Sequence, residues 1–157
     1  MSGEGSPRVS VNASGLKVAL ISGMWHDEVI GGLVTGAREA LAEAQAEVHE
    51  FQVGGAFELP LAAQVALTDG EFDIAVCLGV IVRGGTPHFE YIASSVTDGL
   101  TRVQLDTRKP VGFGVLTTDT IEQALDRAGL AHSSESKGVE AVEAALSSYQ
   151  ALVAMRR

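Results

Sequence analysis

One short segment of the sequence holds residue types suited to binding a phosphate and moving a proton. Gly84 and Gly85 precede Thr86 and Pro87, and His88 follows directly. Threonine is a good helix N-cap and proline suits the first helical position, so we expect a helix to begin at Thr86. Glycines before free helix N–H groups let a phosphate approach the backbone, and an imidazole beside it can take or give a proton. The alternatives are an ordinary glycine turn before a capped helix and a half-buried histidine bonded to a carbonyl.

Four other side chains could hold a small molecule, and each has a plainer alternative. Trp25 could stack on a planar heterocycle, although core packing is favoured for it when it is taken alone. Glu58 could hold a polyhydroxylated chain, or it could simply favour a helix N-terminus. Arg127 and Lys137 could bind an anion, or they could be solvated charges on a polar helix surface.

The charge balance and the histidine spacing exclude two kinds of partner. The formal net charge is -9, from 20 acidic and 11 basic residues, and such a surface repels a phosphodiester backbone. We therefore expect no nucleic-acid partner. The other histidines, at positions 26, 49 and 132, show no metal-ligand spacing with His88, so no metal is expected.

The sequence also predicts the cellular compartment of the protein. Cys77 is the single cysteine and lies in an apolar run, which predicts a buried small hydrophobic residue and no internal disulfide. Residues 1–15 are rich in Ser and Gly and lack the pattern of a signal peptide, and the apolar stretches are too short to span a bilayer. We expect a cytoplasmic protein without a membrane partner.

Hydrophobic patterning places the candidate residues on alternating strands and helices. It predicts strands at 17–22, 47–52, 74–78 and 111–116, a loop at 79–88, and helices at 27–44, 57–67, 87–105, 120–128 and from about 139 to 153. This alternation predicts a three-layer α/β/α sandwich with a four-stranded parallel sheet, as one domain over 16–157 after a flexible tail over 1–15. Ligands of such sheets bind at the carboxyl ends of the strands. Residues 24–26, 54–58 and 83–88 follow strand ends, and Phe113 lies near the end of the fourth strand.

Several motifs, in order along the chain, resemble the lumazine synthase family. They are VGGAFELP at 53–60, LGVIVRGGTPHFEY at 78–91, GVLTT at 114–118, EQALDRAG at 122–129 and KG at 137–138. The likeness covers nearly all of the chain beyond Leu16. Two departures are Gly54, where many members have proline, and His26, where many have asparagine.

The resemblance implies a flavodoxin-like fold and a reaction in riboflavin biosynthesis. The family condenses 5-amino-6-(D-ribitylamino)uracil with 3,4-dihydroxy-2-butanone 4-phosphate, without a cofactor, and releases phosphate and water with 6,7-dimethyl-8-ribityllumazine. His88 would be catalytic, moving protons, and phosphate would lie on Gly85, Thr86 and Arg127. The other substrate-binding residues would be Trp25 stacked on the pyrimidine, Ala56, Phe57 and Glu58 on the ribityl chain, the main chain of Val80, Ile81 and Val82 on the uracil edge, and Phe113 and Lys137.

The resemblance further implies a homo-oligomer, a pentamer or a pair of pentamers, in which Phe113, Arg127 and Lys137 come from the neighbouring subunit. Shell-forming members usually have a shorter linker than residues 130–136, so we expect assembly to stop before a closed shell. Riboflavin synthase, the next enzyme, is a partner to be tested. Two other functions fit the same scaffold: a flavin- or lumazine-binding protein without activity, against which His88 and Arg127 speak, and a cage-forming structural subunit.

Overall fold

The computed structural model describes residues 5–157, and strands and helices alternate along nearly all of this part of the chain. The elements are β1 (Lys17–Ser22), α1 (Asp27–Glu43), β2 (Glu47–Gln52), a 3-10 turn (Ala56–Glu58), α2 (Leu59–Leu67), β3 (Ile74–Val82), α3 (His88–Thr107), β4 (Val111–Thr118), α4 (Ile121–Asp126) and α5 (Lys137–Met155). The four strands form one parallel sheet in the order β2-β1-β3-β4. The predicted flavodoxin-like α/β fold is confirmed.

Helices cover both faces of the sheet, so the two central strands are buried on both sides. Alternate residues of β1, Val18 and Leu20, pack with α1, α4 and α5 in one cluster. Their neighbours Ala19 and Ile21 pack with α2 and α3 in the other. Cys77 belongs to the second cluster and is fully buried, which raises the pKa of its thiol to about 12. The prediction that Cys77 is a buried small hydrophobic residue is confirmed.

The third and fourth strands are longer than the sequence predicts. The predicted strand 74–78 continues to Val82, and the predicted strand 111–116 continues to Thr118. The reason is mutual pairing, because residues 79–82 form a parallel ladder with residues 115–118. The predicted loop 79–88 was therefore wrong in its first half. Pairing with β4 makes residues 79–82 part of the strand instead.

The segment before β1 is attached to the core at its end. Ala13 is fully buried and its N–H donates to the carbonyl oxygen of Ala44 at 2.7 Å, while Val11 packs on the same cluster as α1. Part of the predicted tail, residues 1–4, lies outside the described residues, and the tail boundary at 15 stays a prediction. No helix in the described part of the chain is long and apolar enough to cross a membrane.

Candidate functional site

The loops after β1 and β2 are tied to each other and to β3. The N–H of Gly23 donates to the carbonyl of Leu78 at 3.0 Å, and the N–H of Met24 donates to the carbonyl of Gly54 at 3.2 Å. The N–H of Val53 donates to the carbonyl of Ser22 at 2.9 Å. The structure thus brings residues 23–25 and 53–58 together at the carboxyl edge of the sheet, where ligands of this fold class bind.

Trp25 projects from this edge into solvent. Its side chain is 68% exposed, so the alternative of core packing is wrong for the described chain. A Cβ atom at Gly55 would lie 3.2 Å from the indole Cδ1, so glycine at this position lets the ring lie close to the backbone. His26 adopts a left-handed conformation with φ of 62°, which asparagine also tolerates well. The His26 departure from the family pattern therefore fits the local backbone.

The 3-10 turn places a small buried residue, an exposed ring and a carboxylate side by side. Ala56 is buried against β3, close to Gly79, whereas Phe57 is 57% exposed. The Oε2 atom of Glu58 accepts a hydrogen bond of 2.8 Å from the N–H of Gly55. Glu58 thus supports a helix start, as its plainer alternative stated, and its side chain is exposed.

The end of β3 presents main-chain groups on one side only. Its pairing with β1 ends where Ser22 lies opposite Leu78, but its pairing with β4 continues to Val82. The side chains of Val80 and Ile81 are buried in opposite clusters. Because β1 is shorter, backbone groups of residues 80–82 on the β1 side lie outside the ladder and are available to a planar ligand with donors and acceptors.

The loop from Gly84 to Pro87 is exposed and leaves room beside its backbone. A Cβ atom at Gly84 or Gly85 would meet no other atom within 4 Å. The prediction that Thr86 caps the helix is wrong. Pro87 directly precedes His88, the first residue of α3, and its carbonyl accepts from the N–H of Glu90 at 3.1 Å.

His88 is the first residue of α3 and is exposed. Across the described chain, no group forms a hydrogen bond with its imidazole. The alternative of a half-buried histidine bonded to a carbonyl is therefore wrong. The ring is available to donate to or accept from a ligand bound against the loop.

Arg83, just before this loop, was given no role of its own from the sequence. Its guanidinium donates to Asp119 at 2.7 Å and to Glu90, and it lies 4.4 Å from the centre of the Phe89 ring. Hydrogen bonds to Asp119 and Glu90 raise the pKa of Arg83, and the hydrogen bond from Arg83 lowers the pKa of Glu90. Sequence patterns could not reveal the group because its members lie on three separate segments.

Three predicted residues lie elsewhere, along the free edge of the sheet. Phe113, Arg127 and Lys137 line one groove of about 590 Å³ beside β4, together with N-terminal residues such as Pro7. Phe113 is 45% exposed although it stands in the middle of a strand. None of the residues from the carboxyl ends of β1 and β2 lines this groove in the described structure.

The two cations of the groove are held by neighbouring groups. Arg127 directly follows α4, where its Nη1 donates to the carbonyl of Gln123 at 2.9 Å and its Nε lies 3.7 Å from Glu135. Lys137 begins α5, and its Nζ donates to Glu140 at 2.7 Å and lies 3.5 Å from Glu135. The Lys137 side chain is only 13% exposed, so its alternative as a solvated charge is wrong.

The structure therefore divides the predicted site residues into two groups. The first, at the carboxyl edge, holds Trp25, residues 56–58 and 80–82, the loop at 84–87 and His88. The second, on the β4 edge, holds Phe113, Arg127 and Lys137. Within residues 5–157, no group of three or more metal-ligating side chains is clustered.

Comparison with known proteins gives a consistent family. The sequence profile of 6,7-dimethyl-8-ribityllumazine synthase matches residues 15–152. Similar proteins of that name occur in Leifsonia xyli subsp. xyli, 52% identical over 99% of both chains, and in Kineococcus radiotolerans, 54% identical over 97% of this chain and 94% of the relative. A third, from Streptomyces coelicolor, is 55% identical over 93% of this chain and 91% of its own.

Proposed function

The chain belongs to the 6,7-dimethyl-8-ribityllumazine synthase family and is a transferase of riboflavin biosynthesis, and we propose that it works at a site built from two copies of the chain. It condenses 5-amino-6-(D-ribitylamino)uracil with 3,4-dihydroxy-2-butanone 4-phosphate. The observation that carries the proposed site is the division of its predicted residues between the carboxyl edge and the β4 edge.

The reaction needs positioning and proton transfer more than a reactive protein group. The amino group of the uracil substrate attacks the carbonyl carbon of the butanone, and water leaves as the imine forms. Phosphate is then eliminated, and the ribitylamino nitrogen closes the ring on the second carbonyl carbon with loss of a second water. Because the nucleophile and the leaving group both belong to the substrates, no cofactor is needed. Most of the rate enhancement would therefore come from orienting the two substrates and from proton transfer.

The first group of residues is suited to the uracil substrate. The exposed Trp25 indole offers a stacking surface, and the unpaired backbone groups on the β1 side of residues 80–82 offer donors and acceptors for the uracil edge. Ala56, Phe57 and Glu58 would bind the ribityl chain, with hydroxyl groups on the carboxylate of Glu58. Burial of Ala56 against β3 keeps this turn close to the strand end.

The loop before α3 is suited to the butanone phosphate. Backbone N–H groups of Gly85 and Thr86 would bind the phosphate, and Arg127 would neutralise its charge. His88, exposed and without a hydrogen-bond partner in the described chain, would donate and accept protons during imine formation and phosphate elimination. Phe113 and Lys137 would close the site over the pyrimidine.

The positions of Arg127 and Phe113 support the proposal of a shared site. Both line the β4 edge, whose outer side has no strand partner in the described sheet, and such an edge is a natural surface for a second chain. A ring of five chains would place the β4 edge of each against the carboxyl edge of the next. We further propose the cytoplasm as the place of action and riboflavin synthase as a transient partner that receives the product.

The proposed function is tested by mixing purified protein with both substrates and following the fluorescence of the lumazine product. We expect turnover well above the spontaneous reaction, which is measured without protein and subtracted. Binding of the product without turnover would instead support the non-catalytic binding protein. Large hollow particles without turnover would support the cage-forming subunit.

A further inference from the structure

The loop that carries the proposed phosphate site is closed at its base by one side chain. Arg83 ends the pairing of β3 with β4, where its N–H donates to the carbonyl of Thr118 at 2.9 Å. Its guanidinium then joins Glu90, in the first turn of α3, to Asp119, the residue after β4. The loop at 84–87 lies between Arg83 and this first turn. Both ends of the loop are thus connected through a single guanidinium.

The geometry of arginine suits this bridge better than a point charge would. Its Nε donates to Asp119 at 2.7 Å, while Nη1 donates to Glu90, so two separate edges of the planar group are used. The Phe89 ring, 4.4 Å away, supports one face. A lysine could keep the charge but could not serve both carboxylates with the same fixed directions.

The same contacts argue against a direct role of Arg83 in phosphate binding. Its charge is already compensated by two carboxylates, and these would also repel an incoming phosphate from the guanidinium. The groups are partly exposed, with side-chain exposures of 44% for Arg83, 55% for Glu90 and 65% for Asp119. Exposed ion pairs contribute little to global stability, so the effect of this bridge should be local.

We propose that Arg83 is a positioning residue, which with Glu90 and Asp119 holds the loop at 84–87 and His88 in the geometry that the phosphate substrate requires. This inference rests on the proposed function for its kinetic effect. Its structural part, the ordering of the loop, can be measured without any substrate.

The first experiment measures hydrogen exchange of the two hydrogen-bonded amides that flank the loop, at position 83 and at Glu90, in the assembled protein. We expect faster exchange in Arg83→Ala and an intermediate rate in Arg83→Lys. Arg102→Ala is the matched control, because Arg102 lies on α3 and makes an exposed ion pair with Asp106. If Arg83→Ala exchanged no faster than this control, the positioning role would be refuted, whatever the activity.

The second experiment asks whether the KM for the butanone phosphate rises or falls when Arg83 loses one of its carboxylate partners. Glu90→Gln and Asp119→Asn each remove one carboxylate from Arg83. If Arg83 positions the loop, both variants raise the KM for the butanone phosphate, by up to about 10-fold, and leave the KM for the uracil substrate unchanged. If Arg83 bound phosphate directly, releasing it from its carboxylates would lower that KM and overturn the proposal.

Failure of the proposed function and failure of the proposed Arg83 role give different experimental results. A wild-type protein without turnover would refute the proposed function, while the exchange experiment would still decide the ordering of the loop. A wild-type protein with turnover, but with Arg83→Ala kinetics equal to those of Arg102→Ala, would refute the role of Arg83 alone. A drop in Tm much larger for Arg83→Ala than for Arg102→Ala would mean general destabilisation and would also contradict the local effect.

Discussion

At the scale of single residues, the two proposed functional groups His88 and Arg127 differ in how they are held. His88 is exposed and unbonded in the described chain, which leaves its imidazole available to exchange protons with a bound substrate. Arg127 is held by the carbonyl of Gln123 and by Glu135, which fixes its guanidinium at the groove. Their expected mutational effects therefore fall on different kinetic constants.

For His88→Ala we expect slower turnover with little change in pyrimidine binding, because the imidazole acts on protons rather than on affinity. General acid–base catalysis contributes about 10²- to 10⁴-fold. Steady-state kinetics, corrected for the spontaneous reaction, measure this loss. His132→Ala, which removes another exposed histidine, is the control. An unchanged kcat in His88→Ala would refute the catalytic role.

For Arg127→Ala we expect a raised KM for the butanone phosphate and a nearly unchanged KM for the uracil substrate, because the lost contact is to phosphate. Arg127→Lys should fall in between, since it keeps the charge. Equal losses for both substrates would point to damage at the subunit interface and would contradict a specific phosphate contact.

At the scale of the elements, hydrophobic periodicity was sufficient where burial is decided locally. It predicted the bounds of β1 and β2 and the start of α1 correctly. It gave β3 and β4 too short, because each strand is extended by pairing with the other. It also placed the start of α3 at Thr86, whereas the helix begins after Pro87. The contacts of Arg83 were also out of reach, because charged side chains on separate segments show no periodic pattern. The assignment of the candidate site residues to two neighbouring chains came only from the family resemblance.

Glycines in α1 offer a test of how closely the helices on one face pack. A Cβ atom at Gly32 would lie 2.4 Å from the carbonyl oxygen of Ala128 and 3.0 Å from Leu130, whereas one at Gly31 would meet nothing within 4 Å. Gly32→Ala should therefore lower the free energy of unfolding by about 1–3 kcal/mol, as overpacking does.

The adjacent Gly31→Ala should raise the free energy of unfolding by up to about 1 kcal/mol, because alanine is the better helix former. Denaturant unfolding at equal protein concentration compares the two variants. If both changed stability in the same direction and to the same extent, the close contact between α1 and the segment after α4 would be wrong.

At the scale of the whole molecule, the segment at residues 130–136 between α4 and α5 should limit assembly. It forms a closed loop, with a β-bridge between Ala128 and Ser136 at its base. Ser134 donates to both carboxylate oxygens of Asp126, and these hydrogen bonds lower the pKa of that group. The loop is therefore held in one conformation by the bridge at its base and by the hydrogen bonds of Ser134.

We predict that assembly stops at a pentamer or a pair of pentamers. Closed shells need one repeated contact at a fixed angle, and a longer linker at this position should alter the angle between pentamers while the ring interface survives. Sedimentation and electron microscopy of the purified protein should show species of about five or ten chains. Hollow spherical particles would contradict the prediction.

His88 and Arg127 lie at different edges of the chain. We therefore predict that each active site takes His88 from one copy and Arg127 from its neighbour. His88→Ala and Arg127→Ala chains are each assayed alone at low butanone phosphate, then unfolded together in equal amounts and refolded. In a randomly mixed ring about one quarter of the sites would receive both wild-type residues, so we predict recovery of about a quarter of wild-type turnover. A mixture no more active than the average of the two separate variants would contradict a shared site.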